Sequence, residues 1–444
     1  MVFKAIKWFI LFLVIAVLGV LAYLLIAPPD ILRVGTNYAA KMVCSNVFIA
    51  GRAPEDILAT DVQAPGNPLF SFVTARVDED AQSVETRLLN LIAPASSQYR
   101  EGLGCTNLHD NGLSETVLPS RSRLSDALWP EGNHVSPSQN AALNGILTDA
   151  TLVGPAMRAV VIVHNGRIIG ETYGEGFDET TPLLGWSMTK TVSAALIGAL
   201  IEDGRLTRGD TLTQAYPEWR HDERANITYE NMLGMVSGLR WNESYGNLSD
   251  VTRMLYLTED MANFAAKSPL VSEVGESFNY SSGTTTAMSR SWQDAVEEDL
   301  AYPARAIFGP LGMTSAVMET DVFDTFVGSS YMYATARDWA RFGQFLLQKG
   351  EWNGLEILPQ GYVDWMFEPV ITSGGDYTKG SLWRTVPRRK MVFEDAVWLQ
   401  GHDGQSIGIF PSHDLVVVRL GLSPSREGYS PLQMVQKVIE QLGD

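Results

Sequence analysis

The stretch LLGWSMTKTVSAALIGALIEDGRL, Leu183 to Leu206, sets a serine where a helix begins and a lysine three residues further on. With Ser187 as the first helical residue, Val192, Ala195, Leu196, Ala199 and Leu200 form an apolar stripe, and Glu202-Asp203-Gly204 supplies the C-terminal stop. Ser187 and Lys190 then share one face, because residues three apart on a helix are neighbours. A serine hydroxyl is a weak nucleophile until something accepts its proton, and an amine does so when burial or nearby positive charge lowers its pKa toward neutrality. The helix N-terminus adds partial positive charge and free N–H groups suited to an oxyanion. A helix cap beside a solvated lysine is the competing structural reading of the same residues.

Working outward, RAVVIVHNGRIIGETYG (158–174) reads as a hairpin, two β-rich runs around Asn165-Gly166, a pair that tolerates the positive dihedrals of a type I′ turn. Downstream of Ser187 the chain reads as mainly helical to about Gly350, including SYMYATARDWARFGQFLLQKG, where Met and Tyr are taken as helix packing. Strands return in DAVWLQGHDGQSIGIFPSHDLVVVRLGL, and PLQMVQKVIEQLG closes as an amphipathic helix. Strands at both ends with helices between them predict an α/β fold: one largely antiparallel sheet built from distant parts of the chain, flanked by helices, with an inserted helical region.

The 444 residues are 45% hydrophobic and 19% charged, enough to bury a large core. A formal charge of −18 with no basic stripe argues against a nucleic-acid partner. Six histidines without an HExxH spacing and two distant cysteines call for no metal or cofactor. After Lys4 and Lys7 comes an uncharged run, Trp8 to Ala27, which as a helix spans about 30 Å of hydrocarbon. Its end in Ala27-Pro28-Pro29 favours a retained transmembrane anchor over a cleaved signal. The leading lysines place residues 1–7 in the cytoplasm and everything after the anchor outside, in a periplasmic or extracellular space. There Cys44 and Cys105 form either a disulfide or two buried thiols. The expected organisation is a cytoplasmic stub (1–7), a transmembrane helix (8–27), an irregular extension packed on the main domain (28–121), and a catalytic domain (122–444). The oligomeric state is not legible.

The sequence around the serine resembles the penicillin-recognising serine hydrolases: class C β-lactamases, DD-peptidases, esterases and 6-aminohexanoate-dimer hydrolases. That family carries three signatures in order. The first is matched by Ser187-Met188-Thr189-Lys190, the second, a YxN or YxS motif, by Tyr280-Ser281-Ser282, and the third, a KTG-like triplet on a late strand, by His402-Asp403-Gly404. The likeness runs from about Leu124 to the C-terminus and implies the β-lactamase/DD-peptidase fold. It also implies that Ser187 is acylated, that Lys190 takes its proton, and that Tyr280 relays protons to the leaving group and the hydrolytic water. Ser282 would bond near the lysine, and the oxyanion hole would be the backbone N–H groups of Ser187 and Gln405. For Tyr280 to act as a base near neutrality, lysine charge must hold its pKa below about 10.

The third motif departs from the family's. Where a lysine would help hold a substrate carboxylate, His402 stands beside anionic Asp403. This points away from β-lactams and D-Ala-D-Ala peptides and toward esters or amides without that group, as in the esterase and oligoamide-hydrolase branch; a structural His402–Asp403 pair is the other reading. Tyr245 resembles a substrate-facing loop tyrosine of that branch, and Trp186, Trp241 and Trp383 are candidates for an apolar wall. A competing signature, Gly404-Gln405-Ser406-Ile407-Gly408, fits a nucleophile elbow, but strand and turn follow it where the elbow needs a helix. The function classes left open are a membrane-anchored serine hydrolase, a binding or sensor protein that is acylated without turnover, and a β-lactamase or DD-peptidase acting on peptidoglycan-like substrates.

Overall fold

The computed structural model describes residues 2–64, 68–119, 125–136, 138–386, 393–424 and 427–443; the expected boundary at 121/122 lies outside them. The chain opens with helix α1 (Val2–Ile26), whose side chains are exposed from Phe3 to Tyr23, and which is the one helix among the described residues long and apolar enough to cross a membrane. Helix α2 (Asp30–Phe48) follows at once, started by Pro29.

The segment read as irregular is ordered. Strands β1 (Val73–Asp78), β2 (Ser83–Leu88), β3 (Ile92–Arg100) and β4 (Gly104–Leu108) form an antiparallel meander against which α2 lies. Short strands such as SVETRL bury alternate residues, Val84, Thr86 and Leu88, but the central one is polar, so the apolar alternation in the sequence is weak. Cys44 on α2 is disulfide-bonded to Cys105 on β4. Beside that bond the buried Lys41 ammonium donates to the Cys105 carbonyl (2.6 Å) and pairs with Glu319 (2.6 Å), which itself accepts from the Cys105 N–H (2.7 Å). A disulfide and an apolar N-terminal helix, whether signal or anchor, are features of chains that enter the secretory route.

The hairpin expected at Asn165-Gly166 is present: β5 (Met157–His164) and β6 (Arg167–Tyr173) join through residues with φ of 50° and 70°. Two small sheets follow, β7 (Leu183–Leu184) with β8 (Val317–Met318) and β9 (Met332–Ala334), and the hairpin β10 (Glu351–Trp352) and β11 (Leu355–Glu356). The helix expected from Ser330 therefore begins only at Ala336, and Met332-Tyr333-Ala334 is the central strand of its sheet. Finally β12 (Val397–Gly401), β13 (Gln405–Phe410) and β14 (Leu415–Gly421) complete a five-stranded antiparallel sheet in the order β12-β13-β14-β5-β6. Val417 sits opposite Ile162 in its register.

Both faces of this sheet are covered, which is why its strands read as continuous apolar runs. Val161, Val163, Ile407 and Val416 join the main core, whereas the alternate residues Val160, Ile162, Phe410 and Val417 meet the terminal helix Leu432–Leu442. The helix Thr189–Glu202 is buried on every side from Thr189 to Leu200, so the expected stripe is only part of its apolar surface. Ser187 lies just ahead of it, in the 3₁₀ turn Trp186–Met188, at the helix's positive end.

Candidate active site

The structure brings Ser187, Lys190, Tyr280 and Ser282 together. Lys190 is fully buried, and its Nζ lies 3.1 Å from Ser187 Oγ, 3.0 Å from Ser282 Oγ and 2.9 Å from the Ser329 carbonyl oxygen. Burial draws its pKa down to about 8 against the opposing charge of Glu243.

The partners of Lys190 differ in what they can do with a proton. The Ser329 carbonyl only accepts. Ser282 Oγ donates its own proton to Glu243 Oε1 (2.5 Å), so toward Lys190 it also accepts. A neutral amine has two N–H donors and one lone pair, and with both donors so engaged the lone pair faces Ser187, the one partner able to give up a proton. Glu243 is held in turn by the Ser282 N–H (2.9 Å) and by Trp241 Nε1 (2.6 Å). Neither Glu243 nor Ser329 was singled out by sequence reasoning. The available signal was the position of Glu243 two residues ahead of Tyr245; that of Ser329, a main-chain carbonyl, left no trace.

The Tyr280 hydroxyl neighbours Ser187, and its ring lies under Lys190, 4.8 Å from Nζ to the centroid. The expectation that lysine lowers its pKa is corrected here: burial, then Tyr377 and Glu243, push it well above the ordinary value. A phenol so placed keeps its proton and is suited to donate it, whereas the lowered pKa of Lys190 suits its amine to accept one. Tyr377 and Trp383 pack against it at 5.7 and 5.3 Å between ring centroids.

A second aromatic group borders the serine. Tyr245 neighbours Ser282 and stacks on His402 at 4.5 Å; Trp186 meets His402 edge-on at 5.6 Å. Trp186 has a φ of +49°, a conformation that only the packing around this turn can hold. The triplet is not on a strand: His402–Gly404 is the turn between β12 and β13, with His402 Nε2 3.4 Å from Asp403 Oδ1. The Gly404 carbonyl accepts a bond of 3.1 Å from Arg419. The Gln405 side chain is engaged by the His402 carbonyl and by Gly421, leaving only its backbone for an oxyanion role. A Cβ on Gly401 would lie 2.2 Å from the Gly185 carbonyl, so the end of β12 lies directly against the turn that carries Ser187. Ser406 is buried in β13 with β14 after it, which excludes a nucleophile elbow. Trp241 is packed under Gly283 and serves Glu243, so it is no open wall. Among the described residues no cluster of potential metal ligands occurs.

Comparison with known proteins bears on the family and the fold. The sequence model of the Beta-lactamase family matches residues 150–427. The chain is 24% identical to the 6-aminohexanoate-dimer hydrolase of Paenarthrobacter ureafaciens over 291 residues, 60% of this chain and 72% of that protein. Among solved structures, a Bacillus anthracis protein provisionally named a 6-aminohexanoate-dimer hydrolase superimposes with a TM-score of 0.61 at 23% identity, covering 74% of this chain and 92% of its own. EstCE1, a hydrolase with promiscuous acyltransferase activity, does so with a TM-score of 0.55 at 17% identity, covering 67% and 97%.

Proposed function

Because the chain belongs to the Beta-lactamase family of serine hydrolases, we propose that it is a membrane-anchored enzyme that cleaves an ester or amide through an acyl-enzyme on Ser187. The observation that carries this reading is the proton arrangement at Lys190: two partners that only accept, and a lone pair left for the serine.

In acylation Ser187 attacks the carbonyl as its proton passes to Lys190, and Tyr280 gives its proton to the departing alcohol or amine. The new ammonium stands over the phenolate so formed. In deacylation the phenolate takes a proton from water, the resulting hydroxide attacks the acyl-enzyme, and Ser187 leaves with the proton of Lys190, which restores every group. The backbone N–H groups of Ser187 and Gln405 receive the oxyanion. His402 in place of a lysine favours substrates without a carboxylate to anchor. In this reading α1 is retained with the N-terminus cytoplasmic, residues 28–121 form an extension on the catalytic domain of 122–444, and that domain works outside the membrane.

Fluorophosphonate labelling and turnover of a nitrophenyl ester test the proposal, with Ser187→Ala as control. Labelling with sustained turnover supports it. A single burst makes the protein a sensor, and a Ser187 that is not labelled overturns it.

A further inference from the structure

Beside the second aromatic group lies a cavity of about 500 Å³. One wall is Trp186, Tyr245 and His402, the rings next to Ser187 and Ser282. The opposite wall comes from the N-terminal extension, chiefly Leu32 and Val34 of α2 with Leu69, Phe70 and Val73. The extension lies ahead of the residues matched by the family model, so this half of the cavity is an addition to the shared catalytic fold.

Its chemistry selects an occupant. No lysine or arginine is among its lining residues, and the one carboxylate, Asp403, disfavours an anion. An apolar, uncharged group is what such walls stabilise. At roughly 30 Å³ for a group the size of a water or a methylene, the volume takes an alkyl chain of about 12 to 16 carbons.

Its place in the chain supplies a source. Ile31 and Leu32, in the first turn of α2, line the cavity, and α1 ends at Ile26. Five or six residues reach at most about 20 Å, so this wall stands close to the apolar end of α1. In an anchored protein that is the surface of the bilayer, where amphiphiles concentrate their chains.

We propose that the cavity holds the long apolar chain of an amphiphilic ester or amide drawn from the membrane, so that Ser187 acts on lipid-like substrates. This rests on the hydrolase reading above and narrows its substrate class.

The test uses the full chain in nanodiscs of a diether phosphatidylcholine, which has no ester of its own. Two series are compared, nitrophenyl esters with the acyl chain lengthened from four to about 12 carbons, and butyrate esters with the alcohol lengthened likewise. The expected result is a rise of at least about tenfold in kcat/KM in one series, abolished in Leu32→Trp and in Leu69→Trp, which fill the cavity from separate segments. Flat profiles in both series, or a rise that both variants keep, would overturn the proposal. Independently of turnover, a photoreactive diazirine analogue of dodecanol is crosslinked to the Ser187→Ala chain. Adducts in residues 31–38 and 68–73 support the cavity's role, and adducts confined to α1 overturn it. Failure of Ser187 to label with fluorophosphonate refutes the hydrolase reading alone, since the crosslinking still reads the cavity.

Discussion

Acylation of Ser187 should track the fraction of Lys190 that is neutral. Lys190 is fully buried, and desolvation draws its pKa down to about 8. With that value about one amine in ten is neutral at pH 7, about one in a hundred at pH 6 and about nine in ten at pH 9. An exposed lysine, near 10.4, would be neutral in only about 0.04% of molecules at pH 7, so burial raises the available base by roughly 200-fold there. The assay is the rate of fluorophosphonate labelling from about pH 5.5 to 9.5 at constant ionic strength. The log rate should climb with unit slope and level off about a midpoint near 8. Glu243→Gln removes the negative charge that favours the ammonium, while keeping an acceptor for Ser282; its midpoint should move to lower pH. A flat profile, or a midpoint that Glu243→Gln leaves in place or raises, would refute the assignment of Lys190 as the base poised by burial against Glu243.

The same burial has a stability consequence. The folded pKa of Lys190 lies below the unfolded one, so between about pH 8 and 10.4 the unfolded chain binds more protons. The fold therefore bears a cost of about 3 kcal/mol below pH 8 that fades as pH rises through this window. Lys190→Met removes that cost as well as three hydrogen bonds, so a melt at pH 7 should give a Tm at or above the parent's while labelling is lost; a fall of more than about 5 °C contradicts this. Gly401→Ala drives a methyl group into the Gly185 carbonyl and should lower kcat by about 100-fold, with circular dichroism unchanged. Tyr280→Phe should slow turnover by about 100-fold or more, read in steady-state ester hydrolysis, because it removes the hydroxyl proposed to protonate the leaving group. Removing the Cys44–Cys105 bond frees a loop with a sequence separation of 61 and should cost about 4 kcal/mol in urea unfolding, less if the reduced unfolded chain keeps structure.

The sequence by itself determined the parts whose signals are local. The Asn165-Gly166 turn, the apolar strands of the five-stranded sheet, the terminal helix and the spacing of Ser187 and Lys190 follow from dihedral preference and periodicity over a few residues. The order of the three motifs then gave the family. Only the tertiary structure decided how Lys190 is aimed, because Glu243 and the Ser329 carbonyl from two loops and Ser282 from the start of a helix converge around it, and no spacing in the chain records a direction in space. It decided the same way that Met332–Ala334 is a strand, since its pairing partners are contributed by Leu183–Leu184 and Val317–Met318. The state of Tyr280 was likewise beyond the sequence: burial depends on what surrounds a ring, and here it outweighs the neighbouring lysine. The cavity beside Trp186 exists only because the extension folds back onto the site, a long-range packing event to which the buried Lys41–Glu319 ion pair contributes.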